Sequence, residues 1–333
     1  MRKKIALVTG GYSRESVISY KSAETVQSNL DEERWEHYLI DIRTDGWFCR
    51  SPRGAETPVD KNDFSVNLDG RKIRFDAALI ILHGTPGEDG KLQGYFDCIG
   101  LPYTSCDAAT SALTFNKRYT VAVAAFGGIR VARSLHIFRH NPMQPSSILK
   151  RLNLPVFVKP NNGGSSIGMS KVNEASELAT ALEKAFAEDD QLLVEEYIQG
   201  REFTIGVFRN GGKVVTLPMT EVITKKDFFD YEAKYMGASE EITPAKVEAE
   251  IAGKISDTAK LAYQIFNCRG VVRIDFIYDA QKGEPFMLEI NTVPGQSEAS
   301  IVPQQVRAMG WTLKQFYSGL IEECLERGTL KTA

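Results

Sequence analysis

Two short apolar segments toward the C-terminal end each carry polar residues two apart. One reads Val271-Val272-Arg273-Ile274-Asp275-Phe276-Ile277, the other Phe286-Met287-Leu288-Glu289-Ile290-Asn291. Side chains alternate across a strand, so Arg273 and Asp275 share one face, as do Glu289 and Asn291. Residues 279–285 between them are turn chemistry, which predicts a hairpin. Two carboxylates, an amide oxygen and a guanidinium then meet on one patch of an otherwise apolar sheet. The patch reads either as a Mg²⁺ site, since Mg²⁺ takes carboxylates together with substrate phosphates, or as a salt-bridged sheet face. Paired carboxylates among β-branched residues repel unless something cationic holds them, which favours the metal.

Other segments carry complementary chemistry. Asn161-Asn162-Gly163-Gly164-Ser165-Ser166-Ile167-Gly168 follows Val158-Lys159-Pro160. Its glycines let backbone amides turn toward an anion, and Lys159 supplies a point charge for a phosphate. The loop matches neither GxxxxGK[ST] nor GxGxxG. Glu195-Glu196-Tyr197-Ile198 ends an apolar run where an adenine edge could be held, and Glu202 is within reach of a ribose hydroxyl or is a surface residue. His83 opens the tight loop His83-Gly84-Thr85-Pro86-Gly87-Glu88-Asp89-Gly90 after a buried strand, with Asp89 as a candidate cap for the next helix. Gly10-Gly11-Tyr12-Ser13-Arg14-Glu15 lacks the third glycine of a dinucleotide loop, and Glu15 is placed to meet a substrate ammonium. The turn from Asn291 through Gly295 to Pro303 frees backbone amides for a carboxylate or an oxyanion. Residues 221–243 are polar, aromatic and irregular, the texture of a lid that brings Lys234 to a phosphate and Tyr235 to a substrate.

The elements that must position these groups follow from hydrophobic patterning. Strands over 4–9, 37–42 and 77–82 alternate with a helix over 19–30, which predicts an N-terminal α/β module with a parallel sheet, residues 1–105. Ligands of such sheets sit beyond the carboxyl ends of the strands, where the loops 10–15 and 83–94 fall. Residues 106–188 read as a small α+β module, with one helical run over 108–126 and a helix over 174–188. Residues 189–333 read as the last module, opening on a strand over 192–197. Asn210-Gly211-Gly212 marks a hairpin, and helices are predicted over 246–266, 304–309 and 313–327.

The chain's 333 residues are enough for two or three domains, and 43% hydrophobic with 25% charged residues is an ordinary globular balance. A net charge of −3 without a long basic run gives no electrostatic case for nucleic acid or a membrane surface. Five scattered cysteines without zinc spacing read as reduced thiols of a cytoplasmic protein. The apolar run after Met-Arg-Lys-Lys is too short for a signal peptide, and no stretch approaches a membrane span.

Taken together, these segments resemble the D-alanine–D-alanine ligase family of the ATP-grasp superfamily. The resemblance covers residues 10–303, with five segments in the family's order and approximate spacing. It implies three domains and a cytoplasmic enzyme that uses ATP and Mg²⁺, usually two ions, with Mn²⁺ as an alternative. Lys117, Lys159, Glu195, Glu196, Ile198, Glu202 and Lys234 match ATP-contacting positions, and Asp275, Glu289 and Asn291 match the metal ligands. Glu15, Ser165 and Tyr235 match the group around the first D-alanine, with His83 beside it. Arg273 and the Gly295 amide match the oxyanion site, while Ser300 and Ile301 match the grip on the second D-alanine's carboxylate.

The implied reaction passes through a D-alanyl phosphate and supplies D-alanyl-D-alanine for peptidoglycan. D-Serine or D-lactate as acceptor, or a nucleotide-binding regulator without catalysis, are the other readings. Relatives that make the D-lactate ester tend to lack the tyrosine matched by Tyr235. Asn116 stands where the family commonly has Asp, Phe229 where a hydroxylated aromatic is frequent, and Ser16-Val17 where a His/Arg and Glu pair is usual. The family often forms homodimers.

Overall fold

A computed structural model describes residues 2–51, 54–164, 166–224 and 239–331. Three sheets organise them. The first has the order β6-β5-β4-β3-β2-β1-β7, built from β1 Lys3–Gly10, β2 Trp35–Arg43, β3 Gly46–Arg50, β4 Glu56–Asp60, β5 Ser65–Leu68, β6 Arg71–Ile73 and β7 Ala77–Ile80. Only β1, β2 and β7 run parallel; β3 to β6 extend the sheet as antiparallel hairpins. The predicted parallel sheet is therefore the inner part of a mixed one. The short strands β3 to β6 carry too many charged and turn residues to show a hydrophobic run. Ile5, Ala6, Leu7 and Val8 of β1 are fully buried, as a strand covered on both faces requires.

The second sheet has the order β10-β9-β11-β8, from β8 Ser134–Phe138, β9 Val156–Pro160, β10 Ser170–Val172 and β11 Gln191–Glu196. β11 pairs with both β8 and β9, so this sheet runs past residue 188, and the strand read as opening the last module belongs here. Helix Leu178–Phe186 covers it through Leu178, Ala181, Leu182 and Ala185. The predicted helix over 108–126 is two helices, Ala108–Phe115 and Lys117–Phe126. Asn116 between them is extended, and its side chain accepts from Tyr119 N, capping the second helix.

The third sheet has the order β15-β14-β12-β16-β17, from β12 Arg201–Asn210, β14 Thr220–Thr224, β15 Ser239–Ile242, β16 Val272–Asp279 and β17 Glu284–Asn291; β13 Lys213–Thr216 pairs with β12. Helix Ala249–Ile265 packs Ile255, Ala259, Ala262 and Tyr263 on one face. The other face is left for helix Ile301–Ala308 and the site.

Helix Leu313–Lys331 crosses back to the first sheet. Phe316, Tyr317, Leu320, Ile321 and Cys324 share one core with Ile5, Leu7, Ala77 and Leu79. The start and the late part of the chain are thereby packed as one hydrophobic unit. No helix among the described residues is long and apolar enough to cross a membrane.

Candidate active site

The predicted hairpin forms, and its register supplies the shared face. Arg273 is paired with Asn291 and Asp275 with Glu289, with a bulge after Asp275. Directly opposed residues of an antiparallel pair project to the same side, so all four side chains lie together. Arg273 Nε and Nη2 donate to Asp275 Oδ1 and Oδ2 at 2.9 and 2.8 Å, a bidentate fork. Asn291 Nδ2 donates to Asp275 Oδ2 at 3.2 Å, and Thr204 Oγ1 donates to Asp275 Oδ1 at 2.5 Å. Burial opposes the Arg273 charge, but Asp275 and Glu289 more than offset it and hold the guanidinium firmly protonated.

Two cavities, of about 400 and about 370 Å³, meet at this patch. Asp275, Glu289, Glu202, Lys117, Gly163 and Gly164 line both. The smaller cavity lies between the second and third sheets and is lined by Lys159, Glu195, Glu196 and Ile198 as well. Lys159 and Glu195 form an ion pair across β9 and β11. The Glu196 side chain turns the other way and accepts from Asn153 N at 2.8 Å, so Glu196 offers this cavity its backbone. Lys117 donates to Gly163 O at 2.7 Å, and Arg118 N donates to Asn161 Oδ1 at 2.9 Å, tying the helix start to the glycine-rich loop. Asn116 Nδ2 also reaches Asn162 Oδ1, at 3.3 Å, which gives the unusual asparagine a donor role an aspartate lacks.

The larger cavity holds Glu15, His83, Arg273, Gly295, Ser300 and Ile301. Glu15 stands at the start of helix Ser16–Ser28, between the 83–90 loop and the glycine-rich loop: a Cβ on Gly84 would lie 2.9 Å from its Oε2. His83 is buried; its Nε2 is 3.2 Å from Ser22 Oγ, which also accepts from Gln296 N at 3.1 Å. Burial lowers its pKa to about 4, leaving a neutral imidazole. Gly295 packs against Ser300, whose hydroxyl bonds Ser297 Oγ at 2.7 Å. Ser300 is the N-cap of helix Ile301–Ala308 but makes no side-chain cap, so the first helical amides face the cavity uncapped by it.

Ser165, Lys234 and Tyr235 lie outside the described residues, as do Phe229 and residues 225–238 of the predicted lid. Strands β14 and β15, on either side of those residues in sequence, themselves line the larger cavity through Val222 and Glu241.

Three acidic or hydroxyl groups of the site escape the sequence reading. Glu88 lines the larger cavity half-buried, with Oε2 accepting from Gly84 N at 2.7 Å; desolvation and then the nearby Glu15 hold its carboxyl well above the usual range. In sequence it is one more polar residue of a tight turn. Thr204, which bonds Asp275, reads as an ordinary strand threonine. Glu241 falls in the stretch that the sequence reads as irregular, with no periodicity to single it out, and the structure places it in β15.

Two antiparallel sheets closing over a nucleotide-sized cavity, with a glycine-rich loop and two lysines, Lys117 and Lys159, beside it, are the architecture of the ATP-grasp class. Family models described as "D-ala D-ala ligase N-terminus" and "D-ala D-ala ligase C-terminus" match residues 4–106 and 117–322. The chain belongs to the D-alanine–D-alanine ligase family. A D-alanine–D-alanine ligase of Parabacteroides distasonis is 45% identical over 331 residues, 99% of this chain and 100% of its own. Among solved structures, the VanG D-Ala:D-Ser ligase from Enterococcus faecalis superimposes with a TM-score of 0.87 at 31% identity, covering 97% of this chain and 99% of its own. The D-alanine-D-alanine ligase from Coxiella burnetii gives 0.88 at 26% identity, covering 99% and 96%.

Proposed function

We propose that this chain is an ATP-dependent, ADP-forming ligase that joins two D-alanines into D-alanyl-D-alanine for peptidoglycan, in the cytoplasm. One observation carries the reading: Asp275 and Glu289 line both cavities, at the junction a transferred phosphoryl group would cross. The near-full-length relatives named D-alanine–D-alanine ligase support the substrate class.

In this reading Lys117, Lys159 and Lys234 face the ATP phosphates, while Glu195, Glu196, Ile198 and Glu202 hold the adenine and ribose. The first D-alanine places its ammonium toward Glu15, in a group with Ser165 and Tyr235, and lies beside the neutral His83. Its carboxylate oxygen attacks the γ-phosphorus, ADP leaves, and D-alanyl phosphate remains. Positioning and charge neutralisation by lysines and Arg273 are the main contributions at this step. The second D-alanine's carboxylate lies on Ser300 and Ile301, and its amine attacks the acyl carbon. Arg273 and the Gly295 amide hold the oxyanion, and phosphate departs.

The donor set fits Mg²⁺. Among the described residues no cluster of three or more His, Cys, Asp or Glu side chains is arranged to hold a metal. The set here is instead two carboxylates and an amide oxygen, which leaves positions for phosphate and water. The Glu289 carboxylate accepts no side-chain hydrogen bond from a described residue, and Asn291 spends its Nδ2 on Asp275, leaving its oxygen for a cation. Asp275, Glu289 and Asn291 would hold the ion, usually one of a pair, with Mn²⁺ as a substitute; bound there, it would neutralise phosphoryl charge.

Three modules accompany this reading, 1–105, a middle one from 106, and a last one to 333, with the middle module running through Glu196 rather than ending at 188. A homodimer, as the family often forms, is tested by light scattering. The activity is tested by phosphate release from ATP with D-alanine against no amino acid, L-alanine, D-serine and D-lactate. D-Alanine-dependent release is expected. Release only with D-alanine and D-serine together would reassign the acceptor, and no D-alanine dependence would sink the reading.

A further inference from the structure

The reaction just proposed needs a group that takes the proton from the second amino acid's ammonium, and Glu15 stands on the first substrate's side. The site face of the third sheet holds another carboxylate. Glu241 of β15 is paired with Val222 of β14. Val222 is paired with Glu202 of β12, two residues from Thr204. Thr204 in turn is paired with Asp275. Opposed residues, and residues two apart, project to one side. Glu241 therefore shares the face of Thr204, Asp275 and Arg273, and it lines the larger cavity with Arg273, Ser300 and Ile301.

Its location relative to the acceptor's carboxylate grip is equally defined. Gln304, in the first turn of helix Ile301–Ala308, places Nε2 3.5 Å from Glu241 Oε2 and 3.0 Å from Ala299 O. Glu241 is thus one side chain from the helix start where the acceptor carboxylate would lie. A zwitterion seated there with its carboxylate on the helix amides would turn its ammonium into the part of the cavity that Glu241 and Arg273 both line. The opposite charges at the two ends of the acceptor match the two ends of this part of the cavity. Partial burial raises the Glu241 carboxyl above the usual range, moderated by Arg273, which moves it in the direction a base needs.

We propose that Glu241 binds the acceptor's ammonium and removes the proton that frees its nitrogen for attack; this rests on the ligase reading above. The proton passes from nitrogen to the Glu241 carboxylate. The nitrogen lone pair forms the C–N bond, the acyl C–O bond breaks, and phosphate leaves with that electron pair. The second proton lost from nitrogen goes to the departing phosphate. Glu241 is then a catalytic residue for the second half of the reaction and has no part in the first.

Hydroxylamine separates the halves. It is largely unprotonated at neutral pH and captures D-alanyl phosphate as the hydroxamate without a base. With ATP, Mg²⁺ and D-alanine, Glu241→Gln should form hydroxamate at nearly the wild-type rate. Its dipeptide formation should fall by roughly 10²- to 10⁴-fold, with partial recovery in Glu241→Asp. Unchanged dipeptide formation in Glu241→Gln would overturn the proposal, as would equal loss of hydroxamate and dipeptide. A wild-type enzyme that forms no hydroxamate would instead remove the ligase reading beneath it.

Discussion

A Cβ built on Gly164 would sit 2.7 Å from Glu15 Oε1, well inside van der Waals contact. The acid proposed to meet the first substrate is therefore pressed against the loop proposed to cradle ATP. Two regions far apart in sequence share one wall, and the absence of a side chain at residue 164 is what allows it.

Gly164→Ala should displace the Glu15 carboxylate and leave the fold intact, since the loop is at the surface of the cleft. A misplacement of about 1 Å at a reacting group costs on the order of 10²-fold in rate. Steady-state kinetics should show a raised KM for the first D-alanine and a lower kcat, with an unchanged melting temperature. Wild-type kinetics in this variant would show that the contact yields without consequence.

Arg273 is expected to matter for chemistry more than for nucleotide binding. Arg273→Lys keeps a charge near Asp275 but loses the bidentate fork, and Arg273→Ala loses both. Removal of an oxyanion donor typically costs about 3–4 kcal/mol of barrier. Turnover should fall accordingly in Arg273→Ala while ATP affinity, read by calorimetry, changes little. Equal losses in both measurements would place Arg273 on the nucleotide instead.

Thr204 gives a test of the metal set that spares its ligands. Its hydroxyl orients Asp275 from behind, and outer partners of ligands typically contribute roughly 10- to 100-fold to metal affinity. Thr204→Val, nearly isosteric, should raise the Mg²⁺ concentration for half-maximal activity by that factor. Chelation should abolish ATP-dependent phosphate release in both proteins. An unshifted Mg²⁺ requirement would detach Thr204, and with it Asp275, from the ion.

The buried His83 predicts an acid-side loss of stability. Its folded pKa, about 4, lies below the ordinary 6.5. A depressed group contributes stability that is present above the unfolded value and is lost as pH falls through the folded one. Between pH 6.5 and pH 4 this one residue should remove on the order of 3 kcal/mol. Melting curves over that range should fall less steeply for His83→Gln. Parallel slopes would mean that His83 is solvated or charged in the folded protein.

Strand alternation is why the groups proposed for metal and oxyanion could be grouped from sequence: Arg273 and Asp275, and Glu289 and Asn291, sit two apart within apolar runs, and the register shows that the two pairs share a face. Glu88 and Glu241 offered no such period. Both are half-buried, and what singles them out is neighbours contributed by other segments, which a local reading does not contain. β11 failed for a related reason. An apolar strand shows that it is buried, but not whether β9 or β12 is its partner. Asn116 shows the opposite case, where one residue's capping chemistry breaks a helical run that hydrophobic spacing would have continued.

Helix Leu313–Lys331 supplies one wall of the core beneath β1 and β7. During synthesis, the first sheet must therefore wait with that apolar face covered in part by helix Ser16–Ser28 alone, while the two later sheets emerge. Ribosomes stalled in the third sheet should hold a chain whose opening strands are still accessible to protease, and whose cleft is complete in parts but not yet assembled.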